Sequence, residues 1–232
     1  SSLLLANNPD VIQCFKTTRH DTCYETMRKI KEHMNQNEIF ARSGIHLHTK
    51  DYKSLVRLFD DLIPGGDNLV SFRQSLKIAG TTQKPVQGIE VGRYGMLERA
   101  IVPVFEDNQY LGTIETVIFP ERYQPFFKNR GIDFYILMKN EFLDISSKAG
   151  FSADQILKHY TLINQKVNPF RFLDDYEFNG TGYFKHGNRL ILYTPIIDLN
   201  GVEIGHYLLL WEEPLSAMCN QNCGNVNVLL PQ

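Results

Sequence analysis

The pattern of apolar positions changes from helical to strand-like at residue 44. Upstream of it, apolar residues recur at helical spacing on both sides of a polar interruption at Thr17–Asp21. Asn8-Pro9 is a cap residue followed by proline, and Thr22-x-x-Glu25 has the spacing of a capping box, so both indicate helix starts. We therefore predict a long N-terminal helix over residues 1–43 that is kinked or broken at the interruption.

Downstream of residue 44, short apolar segments separated by turn residues predict strands. Asp107-Asn108 joins two of these segments and predicts a tight hairpin. One helix is predicted over Ser71–Ala79, and another opens at Ser152-x-x-Gln155 and continues to about Gln165. The predicted strands are 45–49, 55–59, 86–92, 100–105, 110–119, 132–138, 183–185, 190–197 and 202–211.

An internal repeat indicates the domain organisation. Residues 99–114 and 189–207 each contain a strand with a proline, an acidic turn, and a returning strand with an apolar residue before glycine. These similarities favour two tandem copies of one α+β unit over a single 232-residue sandwich. We predict a helical segment 1–43, a first domain 44–124, a second domain 125–213 and a tail 214–232.

Composition and charge narrow the function classes. Hydrophobic residues make up 43% of the 232 residues, which is enough for a folded core. The net charge is −2 without a concentrated basic segment, so no nucleic-acid partner is expected. No apolar stretch approaches the roughly 20 residues that span a bilayer, and no signal peptide is recognisable. Motifs of serine hydrolases, P-loop proteins and zinc proteases are missing, so we predict neither an enzyme nor a cofactor.

His46 and His48 lie two residues apart in a predicted strand and therefore point to the same face. With a third ligand such as Glu90 they can form a metal site, but metal sites usually need three or four donors at suitable spacing. We therefore predict no metal and assign both histidines to the lining of a pocket or to hydrogen bonds with the neighbouring sheet.

Three arginines lie beside apolar residues of predicted strands or helices, namely Arg57, Arg73 and Arg99. Arginine is rarely buried without a partner, and its planar group suits a carboxylate or phosphate. We predict that all three arginines belong to a ligand-binding site, in which Arg73 and Arg99 hold a ligand carboxylate. Glu90 and Tyr94, in a glycine-rich segment, approach the ligand, and Glu90 receives an amine. The alternative is that the arginines pair internally, with Glu90, Asp67 or Glu98.

Four cysteines lie near the two chain ends. An unbroken helix would keep Cys14 too far from Cys23 for a bridge, but the interruption between them can bring them together. We predict local disulfides Cys14–Cys23 and Cys219–Cys223; four free thiols are the alternative.

Several short motifs occur in the order found in double Cache sensor domains, and they lie in the first half of the chain. The chain from about residue 6 to residue 212 resembles this family, which has a long N-terminal helix and two tandem PAS-like antiparallel-sheet domains. The motifs are His46-Leu47-His48-Thr49, Ser54-Leu55-Val56-Arg57, Gly66-Asp67-Asn68-Leu69, Ser71-Phe72-Arg73, Lys84-Pro85-Val86, Gly88-Ile89-Glu90-Val91-Gly92, Gly95 and Arg99.

The resemblance implies an α+β extracytoplasmic sensor that binds a small carboxylate- or amine-bearing molecule and is compatible with a homodimer. It implies a periplasmic or extracellular location in a membrane-anchored receptor, first of all a methyl-accepting chemotaxis protein. A histidine kinase, a diguanylate cyclase, and a metal or redox sensor using His46, His48 and the cysteines are the alternatives. We expect the ligand in residues 44–119, with residues 131–212 relaying the signal.

Overall fold

The computed structural model describes residues 2–17, 19–36, 43–59, 66–166 and 171–212. It contains two five-stranded antiparallel sheets, which we call the first sheet (β1–β5) and the second sheet (β6–β10). The helices are α1 Ser2–Ala6, α2 Pro9–Thr17, α3 His20–Asn35, α4 Gln74–Thr82 and α5 Gln124–Lys128. The strands are β1 Ser43–Thr49, β2 Ser54–Arg57, β3 Val86–Gly92, β4 Gly95–Glu106, β5 Gln109–Ile118, β6 Ile132–Lys139, β7 Tyr160–Leu162, β8 Gly182–His186, β9 Arg189–Ile197 and β10 Glu203–Glu212.

The two sheets have the same strand order. The first runs β2-β1-β5-β4-β3 and the second runs β7-β6-β10-β9-β8, so each strand of one sheet has a counterpart in the other. The predicted hairpin at Asp107-Asn108 is present, with φ of +47° and +63° at its two residues, as a type I′ turn requires. This architecture confirms the predicted α+β class with two tandem PAS-like antiparallel sheets.

The N-terminal region does not form one long helix: three helices, α1 to α3, occupy it, and the break between α2 and α3 falls within the predicted interruption. The side-chain oxygen of Asn8 accepts hydrogen bonds from the backbone of Asp10 and Val11, so α2 begins with a cap where the sequence predicts one. α2 and α3 are separate elements on either side of residue 18, within the predicted interruption. All three helices contribute buried residues to the core on one face of the first sheet, which includes Ile45 and Leu47 of β1.

The opposite face of the first sheet packs against α4, where Leu76 and Ala79 meet Ile101 of β4. α4 begins three residues later than predicted, so Arg73 is the residue before its first turn. The second sheet has one apolar core on each face. One of these cores includes Val91 and Met96 of the first sheet and therefore joins the two sheets.

The predicted helix from Ser152 to about Gln165 is wrong. The capping box of Ser152 and Gln155 forms, but it starts only one 3-10 turn, Ala153–Gln155. The Gln155 amide donates to the carbonyl of Leu162, and β7 pairs with the edge of the second sheet at Leu137–Lys139. Pairing with the sheet thus overrides the local helix signal.

Candidate functional site

The face of the first sheet that packs against α4 carries charged and polar side chains instead of a purely apolar core. Strand pairing puts His46 of β1 opposite Glu115 of β5 on one side and Arg57 of β2 on the other. His48 lies opposite Thr113 of β5. Directly paired residues share a face, so the register alone brings these side chains together.

Glu90 of β3 connects the sheet to the beginning of α4. Its carboxylate accepts hydrogen bonds from Arg73 Nε at 2.8 Å, from the Ser75 backbone N–H at 2.9 Å and from the Ser75 hydroxyl at 2.6 Å. A carboxylate at a helix N-terminus satisfies free N–H groups and interacts favourably with the helix dipole. Both Glu90 oxygens are occupied by the protein, which argues against the predicted role of receiving a ligand amine.

Glu115 is the centre of the cluster and is completely buried. Its Oε1 accepts hydrogen bonds from Arg99 Nη1 at 2.9 Å and from Arg73 Nη2 at 2.5 Å. Burial alone would raise the pKa of Glu115, but the positive charges of Arg73 and Arg99 hold that pKa well below its usual range. Glu115 is therefore a buried carboxylate anion at neutral pH.

The carboxylates that Arg73 and Arg99 hold in this structure belong to the chain itself, as in the alternative of internal pairing, and their binding of a ligand carboxylate stays a prediction. Arg73 pairs with Glu90 and Glu115, and Arg99 pairs with Glu115. The sequence analysis names Glu90 as a possible internal partner of these arginines, but it does not name Glu115. The signal available in the sequence was a single carboxylate between uncharged residues of a predicted strand, Thr113-Ile114-Glu115-Thr116-Val117.

A second ion-pair group lies at the edge of the cluster. Arg57 Nη2 contacts both carboxylate oxygens of Asp67, at 3.2 and 3.1 Å, and Arg93 Nη1 reaches the same carboxylate at 3.0 Å. The Arg57–Asp67 pair is one of the internal pairs considered from the sequence. Arg57 Nε and Nη1 have no hydrogen-bond partner, and neither does the hydroxyl of Tyr94.

A cavity of about 20 Å³ lies between these groups, which is room for about one water molecule. Five of the seven predicted ligand-binding residues line it, while Glu90 and His48 lie outside its lining. The lining residues are His46, Arg57, Phe59, Leu69, Phe72, Arg73, Arg93, Tyr94 and Arg99.

The two histidines are held neutral by burial. Burial lowers the pKa of His46 well below its usual value, with a further lowering by the charge of His48, and Glu115 only partly opposes this. Burial also lowers the pKa of His48. A neutral imidazole keeps one ring nitrogen as an acceptor or ligand.

Cys14 and Cys23 lie on the other face of the first sheet, in the core formed with α2 and α3. The structure has both as free thiols and lacks the predicted disulfide, although the two thiols are in hydrogen-bonding contact. Burial and the contact with Cys23 raise the pKa of the Cys14 thiol. Cys219 and Cys223 lie outside the described residues, so their predicted pairing stays a prediction.

A much larger groove of about 1110 Å³ lies between the two sheets. Its walls are mainly apolar and aromatic, and among the described residues none of its side chains has a buried polar atom without a partner. Polar groups that converge without partners indicate a specific site more strongly than volume does, so the small cavity is the candidate site. The groove is lined by Gln87, Gly88, Ile89, Glu98, Tyr123, Phe127, Phe134, Thr181, Gly182, Tyr183, Leu192, Tyr193, Thr194, Tyr207 and Leu209.

Two tandem sheets of this order, with a polar cavity under the helix of the first, define a double Cache sensor domain. The profile described as "Double sensory domain of two-component sensor kinase" matches residues 1–209, and the chain belongs to this family. The family consists of sensory domains, not enzymes. No curated protein matches the chain.

Several solved structures resemble this chain at low sequence identity. The sensor domain of the V. cholerae histidine kinase DctB is 10% identical, covers 92% of this chain and 88% of its own, and has a TM-score of 0.52. The extracellular domain of the putative histidine kinase vpHK1S-Z8 is 16% identical over 94% and 85% of the two chains, with a TM-score of 0.50. The ligand-binding domain of the Campylobacter jejuni chemoreceptor Tlp3, in complex with 4-methylisoleucine, is 13% identical over 97% and 84%, with a TM-score of 0.46.

Cache sensor domains are extracytoplasmic parts of membrane receptors. None of the helices in the described part of this chain has the length and apolar character needed to span a bilayer.

Proposed function

We propose that this chain is the periplasmic or extracellular sensing part of a two-component sensor kinase anchored in the inner membrane, and that it binds a small carboxylate-bearing molecule in the cavity of the first sheet. The description of the family names a sensor kinase, so it supports a kinase as the full-length receptor over the chemotaxis protein that we expected first from the sequence. A diguanylate cyclase and a chemotaxis receptor are the alternative outputs, and assembly as a homodimer stays a prediction.

The unpartnered donors around the cavity carry the proposal. Arg57 is 5% exposed, yet its Nε and Nη1 make no hydrogen bond, and the buried hydroxyl of Tyr94 makes none either. Leaving a buried donor unsatisfied costs roughly 1–3 kcal/mol, and more for a charged group. A ligand carboxylate supplies the missing acceptors and removes this cost.

The chemistry favours a carboxylate over an amine. Among the described residues that line the cavity, four are arginines and none is an acid. The nearby acids Glu90, Asp67 and Glu115 already accept hydrogen bonds from the protein. The cavity therefore offers donors and positive charge to an incoming molecule.

The small volume of the cavity suggests how binding produces a signal. About 20 Å³ does not hold a carboxylate-bearing metabolite, so the ligand binds a more open arrangement and shifts the population towards it. Arg73, just before α4, lines the cavity and is tied to β3 through Glu90. Opening therefore changes the position of α4 relative to the sheet.

A thermal-shift screen of amino acids and organic acids, followed by titration of the best ligand, tests the proposal. A ligand at 100 times its dissociation constant adds about 2.7 kcal/mol to stability. Tyr94→Phe removes only the cavity hydroxyl, and a hydrogen bond to a charged ligand contributes roughly 1.5–3 kcal/mol, so we expect binding to weaken about 10- to 150-fold.

Tyr110→Phe is the matched control, because Tyr110 also has a buried hydroxyl without a partner but does not line the cavity. We expect it to bind the ligand as the wild type does. Wild-type affinity in both Tyr94→Phe and Arg57→Ala would place the ligand elsewhere, and a screen that yields only amines would contradict the carboxylate class.

A further inference from the structure

Three buried side chains in the first sheet each direct one nitrogen or oxygen atom without a hydrogen-bond partner towards the same point. His46 Nδ1, His48 Nε2 and Glu115 Oε2 make no hydrogen bond of normal geometry. These three atoms all lie within 4.8 Å of one another, and no other such group of histidine, cysteine, aspartate and glutamate occurs in the described residues. Each of the three side chains is 1% exposed or less.

The two separations from the carboxylate agree with metal coordination better than with hydrogen bonds. Glu115 Oε2 is 3.5 Å from His46 Nδ1 and 3.4 Å from His48 Nε2. These distances exceed the usual N–H···O range of 2.7–3.2 Å. Zinc binds histidine nitrogen and carboxylate oxygen at 2.0–2.2 Å, which puts tetrahedral neighbours about 3.4 Å apart.

The other polar atoms of the same side chains are already fixed by the protein. His46 Nε2 is 2.8 Å from the Ser54 hydroxyl, and His48 Nδ1 is 3.0 Å from the Thr113 hydroxyl. Glu115 Oε1 is held by Arg73 and Arg99, which leaves Oε2 directed to the histidines. Such outer contacts set the orientation and tautomer of metal-binding histidines.

We propose that His46, His48 and Glu115 bind a divalent first-row transition-metal ion such as Zn²⁺. Two imidazoles and one carboxylate are a donor set that suits zinc and other metals of this row. The proposal goes beyond the sensing function and does not depend on a carboxylate ligand. Glu90, the third ligand considered from the sequence, is excluded because both of its oxygens are engaged at α4.

The charges around the triad imply that the ion binds together with an anion. Glu90 and Glu115 are balanced by Arg73 and Arg99, so a divalent ion adds uncompensated positive charge to a buried site. His46 also borders the small cavity, so a hydroxide or carboxylate there can complete the coordination. Metal binding and anion binding should therefore strengthen each other.

The test uses the 232-residue chain with Cys219→Ser and Cys223→Ser under reducing conditions, so that the tail thiols do not bind the metal. Metal-free protein is titrated with Co²⁺ and followed by visible absorbance, and Zn²⁺ is then added in competition. We expect one ion per chain, displaced by Zn²⁺, and tighter binding in acetate than in chloride. His48→Gln should reduce the affinity at least 100-fold.

His206→Phe is the matched control, since His206 is equally buried in the second sheet and both of its ring nitrogens also lack partners. It should bind Co²⁺ as the wild type does. If His48→Gln does not fold by circular dichroism, imidazole ¹⁵N spectra of the parent chain decide instead. Zn²⁺ should then shift Nδ1 of His46 and Nε2 of His48.

Failure to bind one Co²⁺ or Zn²⁺ per chain would overturn the metal site, as would undiminished binding by folded His48→Gln. A thiolate charge-transfer band, or ¹⁵N shifts at other histidines, would assign the metal elsewhere and also overturn it. The carboxylate proposal is judged separately, from ligand binding by Tyr94→Phe in metal-free protein.

Discussion

The two sheets have the same strand order, but they fill equivalent positions with opposite chemistry. Gly112 of β5 lies opposite Thr49 of β1, and Gly205 of β10 lies opposite Met138 of β6, which aligns the sheets residue by residue. Counting from these glycines, the buried groups of the first sheet have apolar counterparts in the second. His46, His48, Glu115 and Arg99 correspond to Tyr135, Leu137, Leu208 and Ile191, all buried in one apolar core.

The difference teaches that this fold does not need the charges for its stability. Replacing a buried ion pair by well-packed apolar residues is often neutral or stabilising, because both ions lose their hydration on burial. The second sheet is an example of the apolar solution within the same chain. The charged cluster of the first sheet therefore agrees with the proposed binding role.

What the sheets share is a constraint on the backbone. A side chain at Gly112 would collide with the carbonyl oxygen of His48, and one at Gly205 would collide with the carbonyl oxygen of Leu137. His48 and Leu137 are themselves equivalent positions. The repeated apolar–glycine pair seen in the sequence thus marks the close approach of the central strands in both sheets.

The largest loss of stability is expected when Glu115 of the charged cluster is replaced by leucine, the residue found at the equivalent position of the second sheet, Leu208. Glu115→Leu leaves Arg99 without its closest carboxylate and Arg73 with only Glu90. Breaking a buried ion pair from one side costs about 3–5 kcal/mol, so we expect a loss of this size in the free energy of unfolding measured with urea.

Combining Glu115→Leu with Arg99→Ile removes one charge of each sign. It introduces the residue types of the equivalent positions in the second sheet, Leu208 and Ile191. We expect the double variant to be at least about 1 kcal/mol more stable than Glu115→Leu alone. Glu106→Leu is the control, because its pair with Lys16 is exposed and contributes roughly 0–1 kcal/mol. Additive losses in the double variant would contradict the idea that the charges compensate each other.

A smaller effect is expected from the helices that cover only the first sheet. If Cys14 and Cys23 form the predicted disulfide in protein from an oxidising compartment, closing this short loop should add about 2–3 kcal/mol to stability. Mass spectrometry of a non-reducing digest measures the bond, and melting with and without reductant measures its effect. The high pKa of Cys14 disfavours the thiolate, so oxidation should be slow.

Cys14→Ser is the control for the reductant, since it lacks the Cys14–Cys23 bond while the predicted tail pair is unchanged, so it should show only the response that comes from the tail. Four free thiols in the isolated protein, with no change in melting on reduction, would rule out the bond and leave the structure's free thiols as the native state.

The smallest effect is expected at His206, the polar residue in the aromatic core of the second sheet. Rings of Tyr160, Phe178 and Tyr193 surround it, and burial lowers its pKa, with Glu203 raising and Lys139 further lowering it. The unfolded chain therefore takes up this proton more readily. The stabilisation is complete above the unfolded pKa of about 6.5 and is lost as the pH falls towards the folded pKa.

His206→Phe removes this titration while the other buried histidines remain in both proteins. We expect the wild type to lose more stability than the variant between pH 7.5 and 5.5, as measured by urea unfolding at both pH values. Equal losses would mean that His206 does not become protonated on unfolding in this range.

The sequence by itself determined the class of fold and most of the residues in the site. Alternating apolar segments and the repeated proline and glycine positions are local signals, and they predicted two tandem α+β units. The buried arginines and histidines were recognised because such residues are unusual between apolar neighbours. Five of the seven predicted residues indeed line one cavity.

Only the tertiary structure decided which charges meet. Strand register puts Glu115 beside His46, and the beginning of α4 brings Arg73 to Glu90; neither distance can be read from spacing along the chain. Pairing at the sheet edge likewise replaced the helix predicted after Ser152 by β7. Local signals act within a few residues, whereas the partner of a buried charge is selected by strand pairing and helix packing across the whole domain.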